Sequence, residues 1–79
     1  MITIDNANKI ANDYFSKKEW VVDSVKVSRK PDYFLINAAP KALYDSVNHD
    51  YSKVIGIPRY AINRNTKQIQ QLSFYDLDF

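Results

Sequence analysis

Tyr33-Phe34-Leu35-Ile36-Asn37-Ala38-Ala39 is apolar on both of its alternate sets of positions. A strand turns successive side chains to opposite faces, so a run with two apolar sets reads as a central strand of a sheet. Working back from it, Arg29-Lys30-Pro31-Asp32 supplies turn chemistry. The stretch before that, Trp20 to Ser28, alternates: Val21, Val25 and Val27 share one parity, while Ser24, Lys26 and Ser28 share the other. This predicts a half-buried first strand with one wet face, paired antiparallel with the second. Further back, Ala7, Ile10, Ala11, Tyr14 and Phe15 recur at helical spacing. Thr3 is a fitting N-cap and Asp5 a fitting first-turn anion, which predicts a helix over Ile4 to Lys18. Asparagines 6, 8 and 12 are poor helix formers, so packing has to supply much of that helix's stability.

Working forward, Pro40 ends or bends the second strand. Residues 41–53 carry two readings. Pro40 followed by Leu43, Tyr44, Val47 and Tyr51 suits a short helix, whereas Asp45-Ser46-Val47-Asn48-His49-Asp50 suits a polar loop. Val54 to Ile62 reads as a third strand, with Gly56 and Pro58 marking a bulge or an edge. Asn63 to Lys67 is a turn, and Ile69 to Tyr75 a fourth strand. Ile69 lies off the parity of Leu72 and Phe74, which predicts a slip or bulge near Gln70-Gln71. Short links and the lack of crossover helices exclude a parallel sheet. The expected fold is α+β, one domain over residues 1–79, with the N-terminal helix packed on one face of a four-stranded antiparallel meander and the other face left for docking. Tyr14, Phe15, Trp20, Phe34 and Phe74 are the expected core aromatics.

Composition narrows the chemistry. The 79 residues contain no cysteine, one glycine and one histidine. Disulfide frameworks, thiolate metal sites, cysteine nucleophiles and glycine-rich phosphate loops are thereby excluded. His49 lies four residues after Asp45 and beside Asp50, but a zinc site needs a third ligand and none has recognisable spacing, so neither a metal, a cofactor nor a catalytic residue is expected. No apolar run approaches the ~20 residues that cross a bilayer, and Met1-Ile2-Thr3-Ile4-Asp5 lacks a signal region, so a cytoplasmic location away from membranes is expected.

Charge is unevenly spread. Residues 29–67 carry seven basic and three acidic side chains, while residues 68–79 carry only Asp76 and Asp78, an acidic tail suited to lie against that middle. Tyr33, Tyr44, Tyr51 and Tyr60 are interleaved with the basic residues. Such a mixture suits single-stranded nucleic acid, although no RNP-type aromatic–glycine motif is present. Eleven aromatic residues also exceed what one thin core hides, and exposed aromatic and arginine side chains favour protein interfaces or self-association. The partner-binding candidates are Tyr33, Tyr44, Tyr51, Arg59, Tyr60 and Arg64.

Ile55-Gly56-Ile57-Pro58-Arg59-Tyr60-Ala61-Ile62-Asn63-Arg64-Asn65-Thr66-Lys67-Gln68-Ile69, with the opening Met1-Ile2-Thr3 and Ala7, Ile10 and Ala11, resembles small α+β immunity proteins of bacterial toxin systems. Their pattern runs glycine, proline, an apolar strand, then a polar turn ending Thr-Gly. Here Lys67 stands in the glycine's place, so either the turn differs or Asn65 takes the left-handed position. The resemblance implies a non-catalytic protein that neutralises a toxin or enzyme by binding it, and carries over no individual contact residue. The alternative reading is a small nucleic-acid-binding domain that uses the basic, tyrosine-rich middle.

Overall fold

A computed structural model describes residues 1–46, 48, 59–73 and 79. Helix α1 (Ile4–Ser16) begins as its cap chemistry demands: the Thr3 hydroxyl accepts the Asn6 N–H at 3.2 Å, and Asp5 occupies the first turn. The helix ends at Ser16, two residues before Lys18. Lys17 is the C-cap, and Glu19 takes a left-handed conformation, φ 58°, that turns the chain into the sheet.

Strands β1 (Trp20–Val27) and β2 (Tyr33–Pro40) form the expected hairpin. Pro40 closes β2, and α2 (Lys41–Ser46) follows at once, which decides for helix in that part of the ambiguous stretch. Strands β3 (Tyr60–Asn63) and β4 (Ile69–Gln71) complete an antiparallel sheet of order β1-β2-β3-β4. The chain is thus an N-terminal helix on a four-stranded antiparallel meander, and β2 is central as its two apolar sets require. Among the described residues no helix is long and apolar enough to cross a membrane.

Three local expectations change. The register of β1 against β2 shifts between Val22 and Ser24, so Asp23 is an extra residue. A bulge reverses the alternation beyond it. Trp20, Val22 and Val25 therefore share the helix side, Val21 pairs with Ala39 on the other side, and Val27 is 72% exposed at the strand's end. The pairing of β4 with β3 runs without a slip: Ile69 opposes Ile62 and Gln70 opposes Ala61. Ile69 and Leu72 differ in parity because they serve different cores.

That second core is the third change. Beneath α1, Ala7, Ala11 and Phe15 pack on Phe34, Ile36, Ala38 and Ile62. Across the sheet, Ala61, Leu72 and Phe79 are buried together with Tyr33 and Leu35 against them, so the face expected to be open is partly covered by this chain. The β3–β4 turn also settles its strained position. Lys67 itself is left-handed, φ 65°, and its N–H donates to the Asn63 carbonyl at 2.8 Å. The Asn63 side-chain carbonyl accepts from the N–H groups of Asn65 and Thr66, making the turn with local polar chemistry. Val54–Ile57, Gly56, Pro58 and Phe74 lie outside the described residues.

Candidate functional site

Where α1 runs into β1, the sequence places four rings within one cluster. Phe15 is fully buried and meets Tyr14 edge-on at 5.0 Å, Tyr60 edge-on at 4.9 Å and Trp20 nearly parallel at 5.7 Å. Tyr60 also meets the Trp20 ring edge-on at 5.8 Å. Burial pushes the Tyr60 hydroxyl pKa above its usual 10.0, with the Lys18 charge opposing. Trp20, although braced from two sides, remains half-buried.

It lines a groove of about 800 Å³ between the end of α1 and the start of α2, together with Lys18, Glu19, Pro40, Lys41 and Asp45. Two contacts hold the walls. The Lys41 N–H donates to the Glu19 carbonyl at 3.0 Å, and the Tyr44 hydroxyl donates to an Asp23 carboxylate oxygen at 3.2 Å, tying α2 to the bulge in β1. The Lys18 ammonium sits 4.8 Å over the Tyr14 ring.

The candidates named from sequence are dispersed. Tyr60 braces the Trp20 ring that lines the groove, and Tyr44, on α2, reaches Asp23 of β1 without lining the groove itself. Tyr33 lies on the opposite face of the sheet, 5.0 Å edge-on from Phe79. Arg59 is half-buried, and its carbonyl accepts the Leu72 N–H at 2.7 Å. Arg64 is at the other end of the sheet. Its guanidinium lies 4.5 Å over the Phe34 ring and donates to the Pro31 carbonyl at 3.2 Å, its backbone joins Asp32 and Ile2, and its buried Nε has no hydrogen bond. Tyr51, His49, Asp50, Asp76 and Asp78 lie outside the described residues. Among the described residues no three His, Asp or Glu side chains gather as a metal would require.

No family model, curated protein or solved structure matches the chain. The site is therefore read from its own chemistry. Sequence reasoning assigned Trp20 to the core and passed over Glu19 and Lys41. A signal for Glu19 was present, since a carboxylate just past a helix C-terminus sits at the wrong end of the macrodipole.

Proposed function

We propose that the chain is a non-catalytic protein-binding module of the inhibitor or immunity type, acting by occupying a partner protein. The observation that carries this reading is the groove around Trp20. It offers the chain's single tryptophan, braced by Phe15 and Tyr60 but half-exposed, with charged side chains around it. Rigid aromatic anchors with a charged rim are what interface hot spots are made of. The composition supports a role without covalent chemistry, since cysteine is absent and histidine occurs once.

The rival nucleic-acid reading draws on the basic middle of the chain. Two of those cations are engaged within this chain, Arg64 over Phe34 and Lys30 4.2 Å over Phe79, which leaves fewer for phosphates.

Ala42 lines the groove from an exposed helical position, so Ala42→Arg fills the groove without entering a core. Affinity capture from the source cells, followed by binding of the purified partner, compares the two forms. A protein held by the native chain and lost with Ala42→Arg, at an unchanged melting temperature, is the expected result. Equal retention by both forms, or recovery of nucleic acid alone, overturns the reading.

A further inference from the structure

The groove's charged side chains are two carboxylates and two ammonium groups, so it favours neither sign. They differ in how they are engaged. The Lys18 ammonium is turned onto the Tyr14 ring, and Asp45 is engaged in a contact of its own. Glu19 and Lys41 remain. The Lys41 N–H donates to the Glu19 carbonyl at 3.0 Å, yet their exposed side chains make no ion pair with each other or with any other described residue. The groove thus presents one anion and one cation side by side at the rim of a half-buried indole.

Both residues stand against local preference. Glu19 is left-handed, φ 58°, where glycine is the usual residue, and its carboxylate lies just past the negative end of α1. Lys41 opens α2, where a cation is the less favoured sign. Residues that break local rules without compensation concentrate where a protein meets something else. Beside them, the Trp20 ring is stacked on Phe15 through one face, and an indole already braced loses little freedom on docking.

A pair of opposite charges that leave each other unsatisfied fits a surface bearing the same pair in reverse order. A two-fold axis supplies that surface, because in an isologous contact residue i meets j of the other copy and j meets i. A partner surface of a single sign would set one of the two charges against its like. We propose that this groove docks onto the same groove of a second copy of the chain, through two reciprocal Glu19–Lys41 ion pairs around the facing Trp20 rings. The inference rests on reading the groove as a protein-binding surface, and it makes self-pairing the state that any other protein has to displace. The contact is small and its ion pairs are exposed, so the Kd should be on the order of 100 µM.

Sedimentation equilibrium of the native chain from about 10 µM to about 1 mM should follow it from monomer to dimer. Trp20 is the only tryptophan, so indole fluorescence should change over the same range. Glu19→Lys and Lys41→Glu each set like charges across the axis, and each alone should weaken pairing about tenfold or more while still melting cooperatively. Mixed in equal amounts, the two variants should pair at least as well as the native chain, because every charge then faces its opposite. A merely structural role for either residue would not be repaired by mixing. A native chain that stays monomeric at the top of the range, single variants that pair as the native chain does, or a mixture no stronger than its components overturns the proposal. If Ala42→Arg abolishes capture of another protein while the native chain stays monomeric, only the self-pairing falls. If the native chain and the mixture pair as expected but no other protein is captured, self-pairing holds and the inhibitor reading falls.

Discussion

The two faces of the sheet are built to different depths. On one, α1 lays Ala7, Ala11 and Phe15 across Phe34, Ile36 and Ile62, and every one of these is buried from solvent almost completely. On the other, Ala61 and Leu72 are covered by Phe79, with Tyr33 and Leu35 only half-buried at the margin. A helix brings a row of side chains at fixed spacing, whereas a single ring covers little more than its own area. The helix side should therefore hold most of the stability. The groove lies where that strong core runs out, and its aromatic floor is the edge of the same packing.

The comparison is broken most directly by deleting one anchor from each face. Phe15→Ala removes the ring shared by three others, and should cost about 3–5 kcal/mol in denaturant unfolding, a large share of what a chain of this size has. Leu72→Ala on the second face should cost about 2–3 kcal/mol, toward the low end for a buried leucine, because the thin layer above it relaxes more easily. A larger loss from Leu72 than from Phe15 would reverse the ranking of the faces.

Lys67→Gly tests the turn that joins both faces, since β3 and β4 supply Ile62 and Ile69 to one and Ala61 to the other. Removing the Cβ at φ 65° should stabilise the fold by about 0.5–1 kcal/mol, read as a higher melting temperature. The smallest effect is confined to the helix side and to alkaline solution. The raised Tyr60 pKa means that the folded chain holds this proton after the unfolded chain has released it. Its contribution is intact below pH 10, the unfolded value, and is lost as pH rises from there through the folded pKa. Tyr60→Phe should flatten that part of the alkaline stability curve, and an unchanged slope would show that Tyr60 is not the group responsible.

Much of the architecture was legible from short-range pattern. The Thr3 cap, the spacing of Ala7, Ala11 and Phe15, and the doubled apolar set of β2 each report on neighbours a few residues away, and each appears in the structure as read. The valines of β1 misled because a period-2 reading assumes an unbroken ladder. One extra residue at Asp23 exchanges the faces, and nothing in the alternation itself announces it. The candidate site was less legible. Tyrosine and arginine were chosen by type, yet Tyr33 and Tyr60 project to opposite faces, and Arg64 turns onto Phe34.

Sequence alone was enough to establish one helix and the antiparallel hairpins, because capping, side-chain period and turn chemistry act within a few residues of the chain. The cover that Phe79 places on the second face, the left-handed Lys67, and the groove between Glu19 and Asp45 came only from the folded molecule. Those features depend on contacts between segments far apart in the chain, and such contacts exist only once the sheet has set their distance and direction.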